Sequence, residues 1–418
     1  MSETFGLASL QVRPGHPDFL DLPWAEPLER WEGRCSRLVE LERGISRHEV
    51  RFVQYDDSGA FGDPSPKAYA LKQLPGHLGP REYASLRWLE DKRLPSVVPI
   101  GHARVITEEG EASILITRFL DMALPYRTLF QSPGFERYRA RLFDSIAGLL
   151  VRLHLAGFFW GDFSLSNCLF LRDAGQLQAY LVDAETSEMH ESLSDGQRGH
   201  DLMLLEDNVA GELADVAAVS ELPPDFDIFE TGPGIRRRYE QLWSEVSRVD
   251  VVTPSEGWRI QERIRSLNKL GFSVGEIELE ATGDGSRLAM RPVVTDRDFF
   301  RHLVQNLTGL VTEERQAELM ANEIQEMRAT LGRAAGGKLT MQNAAYRWLN
   351  ERYKPMVQRL DPLVKRRIGP PAELYCQLLE HKWFLSEKAK QDVGLEAALA
   401  DYIKQFEGGG VAGPPSVV

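Results

Sequence analysis

Three cysteines in 418 residues, Cys35, Cys168 and Cys376, are too few and too scattered for a disulfide framework or a cysteine-built zinc site. Long apolar runs are also missing. The most apolar window, Ile146 to Trp160, is interrupted by Arg152 and His154 and is too short to span a bilayer. The N-terminus has no basic segment followed by an apolar run, so no secretory signal is expected. Positive charge is in deficit: the formal net charge is −13, so general binding to nucleic acid or to an anionic membrane would begin with repulsion. These absences lead to the expectation of a soluble, cytoplasmic protein with no membrane span. Hydrophobic residues make up 43% of the chain, enough for two or three packed domains, and there is no internal repeat.

Residues 1–30 are rich in proline and acidic side chains and are expected to form an irregular N-terminal extension. Strand-like alternation follows at Leu38–Leu41, Val50–Tyr55 and Ala68–Lys72, with loop chemistry from Asp56 to Pro66. A helix is expected from Pro80 to Lys92 with Tyr83, Leu86 and Leu89 on one face, then strands at Val97–Val105 and Ala112–Phe119. After Leu222-Pro223-Pro224 the chain turns to long, charged, helix-periodic segments. Thr253-Pro254-Ser255-Glu256 and Thr295-Asp296 are expected helix starts. Between them Val274 to Met290 alternates around a hairpin turn at Gly283-Asp284-Gly285, and helices are expected from 298 to 406. The glycine-rich end, 408–418, reads as a flexible tail.

The chemistry concentrates in Trp160-Gly161-Asp162-Phe163-Ser164-Leu165-Ser166-Asn167 and in Leu181-Val182-Asp183. An Asp, an Asn five residues later and a second Asp at the end of an apolar, β-rich run form the ligand set that phosphoryl transfer from a nucleotide requires. An exposed loop Asp after an apolar helix can take a proton from a hydroxyl, and a strand-end carboxylate offers the hard oxygen that Mg²⁺ prefers. Upstream, Lys72 ends an apolar strand, and Glu82 opens the next helix ten residues on. Taken singly, each residue has a plain explanation as a surface Lys or Glu, a turn Asp or a loop Asn. Their order and spacing do not.

His154-Leu155-Ala156-Gly157-Phe158-Phe159-Trp160-Gly161-Asp162 followed by Asn167 resembles the catalytic core of protein-kinase-like folds. The likeness is to the compact RIO-like and lipopolysaccharide-kinase-like branch, with the pattern H-x-x-G-x-x-x-G-D-x-x-x-x-N. The resemblance implies a two-lobed α+β kinase-like fold: N-lobe 31–118, C-lobe 119–222, and an additional mainly helical C-terminal domain over 223–407. It implies ATP and Mg²⁺ as cofactors, with Asp162 catalytic, Lys72 and Glu82 positioning the phosphates, and Asn167 and Asp183 holding metal. By order alone Thr117-Arg118-Phe119-Leu120 falls where the connector between lobes meets the adenine edge, which places Leu120 in the nucleotide-binding set, although ordinary strand packing explains these residues equally well. Asp201 resembles the buried Asp that braces the catalytic loop, although an N-terminal helix Asp favoured by the dipole is an equally plain reading. His154 reads as structural, and Trp160 as packing beneath the loop.

The departures from that family matter too. Glu42-Arg43-Gly44-Ile45-Ser46-Arg47 has one glycine where G-x-G-x-x-G is usual, so a different backbone, helped by Ser46 or Arg47, is expected to cover the phosphates. Gly161 replaces the Arg that usually precedes the catalytic Asp, and Asp183 is followed by Ala184-Glu185 rather than Phe-Gly. Only 17 residues separate Asp183 from Asp201, too few for a segment that docks an extended peptide. The function expected is therefore phosphotransfer from ATP to a hydroxyl acceptor, a small molecule or RIO-like substrate. The alternative is a pseudokinase that binds nucleotide and serves as a scaffold.

Residues 225–406 carry no chemical motif and resemble the domain of unknown function that follows such modules in some bacterial proteins. Arg236-Arg237-Arg238, Arg259/Arg263/Arg265/Lys269 and Lys354/Arg359/Lys365/Arg366/Arg367 are basic clusters. The ordinary reading is solvated helix faces paired with glutamates. The sharper one is a docking surface for an anionic partner such as RNA or a phosphorylated metabolite, or for a protein, with Tyr346, Trp348, Tyr353, Tyr375 and Trp383 available to stack on bases.

Overall fold

The computed structural model describes residues 6–41, 47–56, 66–107, 110–131, 135–219, 226–248, 250–252, 262, 276–281, 288–293, 299–334, 340–366 and 368–407. The expected helix starts at Thr253 and Thr295, the turn Gly283–Gly285, residues 42–46 and the tail 408–418 lie outside these. Two units divide the chain: Met1–Gln131, Leu142–Leu171 and Ala179–Tyr239 form the first, and Ser132–Arg141, Arg172–Gln178 and Glu240–Val418 form the second.

In the first unit, strands β1 (Gly6–Val12), β2 (Leu38–Val39), β3 (Val50–Tyr55), β4 (Lys67–Pro75), β5 (Pro99–Thr107) and β6 (Gly110–Arg118) make an antiparallel sheet in the order β1-β5-β6-β4-β3-β2. Strand alternation sends Val53, Tyr55, Tyr69, Leu71, Ile114 and Ile116 into one core cluster. Helix α1 (Leu78–Asp91) packs against β4, β5 and β6, burying Leu86 and Leu89.

The expectation of an irregular extension over 1–30 is corrected here. Residues 6–12 form β1, which pairs antiparallel with β5 so closely that a Cβ on Gly101 would lie 2.2 Å from the Gln11 carbonyl oxygen. The following residues supply Phe19, Leu22, Trp24, Leu28 and Trp31 to the sheet's core cluster. Burying an aromatic of this size contributes about 1.5–3 kcal/mol, which outweighs the disordering effect of the local proline and acidic content. The indole N–H groups stay satisfied, Trp24 donating to the Phe19 carbonyl and Trp31 to that of Glu26.

Past β6 come β7 (Leu124–Pro125), α2 (Tyr126–Gln131), α3 (Phe135–Leu155), β8 (Phe158–Phe159), β9 (Cys168–Asp173), β10 (Gln176–Leu181), β11 (Glu188–Met189), α4 (Asp195–Val219) and α5 (Ile228–Ser247). Strands β8 and β11 pair, as do β9 with β7 and with β10. A sheet lobe with one helix, then a helical lobe, is the two-lobed order expected.

In the second unit, β12 (Asp250–Val252), β13 (Glu276–Ala281) and β14 (Leu288–Val293) form an antiparallel sheet in the order β12-β14-β13. Helices Phe299–Thr308, Glu314–Ala334, Met341–Arg347, Lys354–Lys365, Pro371–Ala389 and Leu395–Glu407 enclose a core that includes Trp348, Tyr353, Tyr375 and Tyr402. Trp348, Tyr353 and Tyr375 pack ring to ring at 4.9–5.9 Å, so these three aromatics are core and not stacking platforms. Tyr346 and Trp383 are exposed, at 69% and 60%. Arg359 pairs with Glu396, Lys365 with Asp361 and Arg352 with Glu323, and in the first unit Arg236, Arg237 and Arg238 pair with Glu206, Glu230 and Asp144. For these residues the pairing is that of the ordinary reading, and the cluster Arg259, Arg263, Arg265 and Lys269 lies outside the described residues.

The turn residues 172–178 bring Asp173 to the start of helix Glu314–Ala334, where it accepts from the N–H groups of Gln316 (2.9 Å) and Arg315 (3.2 Å). Glu373 accepts from Ala174 N–H and Gln316 Nε2 beside it. Burial, and after it the charge of Glu313 and that of Glu373, push the Asp173 carboxyl up to about 7 from an ordinary 3.8. Between those values the folded chain keeps a proton that the unfolded chain has lost, so this contribution to stability is full below pH about 4 and fades as pH rises to about 7. Thermal melts of Asp173→Asn against wild type are expected to diverge in the variant's favour across that window. A constant difference in melting temperature would refute the assignment.

Candidate active site

Lys72 sits mid-strand in β4, opposite Val50 of β3 and Leu115 of β6; the strand continues to Pro75 instead of ending at the lysine, as the sequence suggested. Tyr69 and Leu71 face the core cluster, so Lys72 points to the other side, where α1 offers Glu82. The ammonium lies 3.0 Å from Glu82 Oε2, 2.5 Å from Asp183 Oδ2 and 3.8 Å from Glu185 Oε2. Glu82 is fully buried, and its Oε1 also accepts from the Ala184 N–H at 3.3 Å, which ties α1 to the loop after β10.

One ammonium facing three carboxylates leaves negative charge in excess. Asp183 takes the larger share of Lys72: burial would raise its carboxyl, but the lysine's charge and hydrogen bond hold it below the ordinary value. Lys72 is raised although burial opposes this, because Glu82 and Asp183 both favour its charged form. For Glu82, burial first and then the charge of Asp183 push the carboxyl up to about 8, against the opposing charge of Lys72. Carboxylate oxygens of Glu82, Asp183 and Glu185 lie within 4.8 Å of one another. A hard-oxygen donor set carrying surplus negative charge fits a divalent cation such as Mg²⁺.

The loop between β8 and β9 carries Asp162 and Asn167. Gly161 has φ +77°, and a Cβ there would come to 3.0 Å from the Thr186 carbonyl oxygen. An Arg in this position, usual in kinases, would be strained. Asp201 on α4 is fully buried and accepts from the N–H groups of Trp160 (2.8 Å) and Gly161 (2.7 Å), while His154 Nε2 lies 3.1 Å away and Tyr239 O–H lies 2.8 Å from His154 Nδ1. Asp201 therefore braces the loop instead of merely opening a helix, and His154 is part of that brace. Trp160 is buried beneath the loop, its indole N–H donating to the Asp183 carbonyl at 2.8 Å.

Asn167 Nδ2 donates to the Asp162 carbonyl at 3.0 Å, and the Val182 N–H donates to the Asn167 carbonyl at 3.0 Å, which sets Asn167 beside the strand end that carries Asp183. The Asp162 carboxylate is one third exposed, with Arg47 Nη2 2.8 Å from Oδ2 and Asn208 Nδ2 3.4 Å from Oδ1. Leu120 follows the end of β6 in the connector, its carbonyl accepting from the Ala123 N–H at 3.3 Å. Among the described residues it shares no hydrogen bond with this group.

Two supports are not legible from motif spacing. Asn208 Nδ2 donates to the Phe163 carbonyl at 2.7 Å, and Glu212 accepts from the N–H groups of Leu165 (2.6 Å) and Ser166 (2.9 Å) and from the Ser166 hydroxyl. With Asp201 they form a polar edge on α4, spaced seven and four residues apart along one face beside buried Leu205, Val209 and Leu213. Polar residues flanking an apolar helical stripe were the signal available for them.

Residues 42–221 match the model of the lipopolysaccharide kinase (Kdo/WaaP) family, and residues 241–406 match a domain of unknown function, DUF4032. A solved structure described as WaaP in complex with acyl carrier protein aligns with 63% of this chain and 99% of its own, at 16% identity and a TM-score of 0.35. No curated protein matches the chain. Among the described residues no helix is long and apolar enough to cross a membrane. The chain thus carries a kinase-like phosphotransferase domain of the lipopolysaccharide kinase (Kdo/WaaP) family, followed by a DUF4032 domain.

Proposed function

We propose that this protein transfers the terminal phosphoryl group of ATP to a hydroxyl acceptor at the cleft lined by Lys72, Asp162 and Asp183. The observation that carries the reading is the Lys72 ammonium held between Glu82 at 3.0 Å and Asp183 at 2.5 Å, with Asp162 and Asn167 on the adjoining loop. Lys72, oriented by Glu82, neutralises the phosphates, and Leu120 lies in the connector that meets the adenine edge. Asp183 and Asn167 would hold Mg²⁺, which offsets the charge of the phosphates when bound, and Glu185 extends that donor set. Asp162 orients the acceptor hydroxyl and takes its proton. The 17 residues between Asp183 and Asp201 favour a small-molecule or RIO-like acceptor over an extended peptide.

Turnover of ATP with Mg²⁺ is expected in the wild type and is expected to fall at least about 10²-fold in Asp183→Ala, a loss of the size seen when preorganised charge is removed. Equal rates in both would end the proposal. A second reading, nucleotide binding without transfer, is favoured by one observation: the Asp162 carboxylate is engaged by Arg47. It predicts that nucleotide raises the melting temperature with no turnover.

A further inference from the structure

We propose that Arg47 is a phosphate-binding residue which, before nucleotide arrives, caps the carboxylate that it later releases. The inference rests on the reading above, in which nucleotide and acceptor meet at Asp162. Arg47 and His48 are consecutive residues just ahead of β3, where kinases carry the glycine-rich loop. Each reaches a different loop of the helical lobe: Arg47 Nη2 lies 2.8 Å from Asp162 Oδ2, and His48 Nε2 lies 2.8 Å from Glu185 Oε2. These contacts join residues 115 and 137 positions apart in sequence. Two neighbouring side chains that bridge at once to the loops bearing Asp162 and Asp183 fix the direction in which this segment faces.

A glycine-rich loop holds phosphates with backbone N–H groups, and its glycines let the backbone approach. With Gly44 the single glycine from Glu42 to Arg47, a side chain is left to do that work. The Arg47 side chain is 72% exposed and that of Asp162 32%, so their ion pair is partly solvated and weak. A terminal phosphate offers the guanidinium more charge and a bidentate geometry. Nucleotide binding therefore draws Arg47 off Asp162 and frees the carboxylate for the acceptor hydroxyl only when a phosphoryl donor is present.

Titration calorimetry of the full chain with Mg-ATP and with AMP tests this. Arg47→Ala is expected to weaken ATP binding about tenfold or more, the value of a lost charge-assisted hydrogen bond, and to leave AMP binding within about twofold. Arg47→Lys is expected to fall between the two. Because ATP competes with Asp162 for Arg47, Asp162→Asn is expected to tighten ATP binding by up to about fivefold, and this gain is expected to vanish in an Arg47→Ala background. Equal losses for ATP and AMP, no loss for ATP, or a gain that persists without Arg47 would each overturn the proposal while the functional reading stands. A wild-type protein that binds no nucleotide would overturn both.

Discussion

Asp162→Asn is expected to lower turnover by about 10²–10⁴-fold, the contribution of a positioned general base, without weakening nucleotide binding. The substitution keeps the side chain's volume and removes its ability to take a proton. The loop should keep its shape, because it is held through other atoms. Asn167 donates to the backbone carbonyl of residue 162, Asn208 to that of Phe163, and Glu212 accepts from the N–H groups of Leu165 and Ser166. The ion pair lost with Arg47 is partly solvated, so the melting temperature should change little. Steady-state kinetics that vary ATP and acceptor separately would read the effect as a fall in kcat with the ATP constant no worse. A folded variant with wild-type kcat would remove Asp162 from the chemistry.

Lys72 and Glu82 were legible in sequence because local periodicity reports them. Tyr69 and Leu71 alternate with Ala70 and Lys72, and Glu82 falls in the helix that follows, one turn past its start at Leu78. Asp162 and Asn167 were legible through their spacing, which the short loop between β8 and β9 fixes, and Asp183 through its place just past the apolar strand β10. The N-terminal strand was not. The residues Phe19, Trp24 and Trp31 follow no helical or strand period, and β1 pairs with residues about ninety positions away, so no local window carries the signal. His48, Asn208 and Glu212 share that character: each acts on a loop far off in sequence, and its side chain alone looks like an ordinary surface or helix residue. Glu185 stood out only as a departure from Phe-Gly, and its place beside Lys72 and Asp183 required three dimensions.

Asp201→Ala is expected to destabilise the first unit by about 3–5 kcal/mol, the cost of breaking a buried, charge-assisted network. The carboxylate receives the Trp160 and Gly161 N–H groups and lies beside His154 Nε2, with the Asp201 and His154 side chains fully buried. Removing it leaves buried donors unsatisfied, each costing about 1–3 kcal/mol, and these costs overlap because the groups share one acceptor. At about 2–4 °C per kcal/mol for a unit of this size, the melting temperature should fall by roughly 6–20 °C. Asp201→Asn separates charge from shape. The amide retains one carbonyl oxygen but turns an NH₂ toward a backbone N–H, so its loss should fall between wild type and alanine. Both variants should also lose turnover, because Gly161, whose N–H Asp201 holds, directly precedes Asp162. If the alanine variant melts within about 2 °C of wild type, less than 1 kcal/mol by the same conversion, then α4 does not set the position of the catalytic loop, and the support assigned to Asn208 and Glu212 on the same face loses its basis with it.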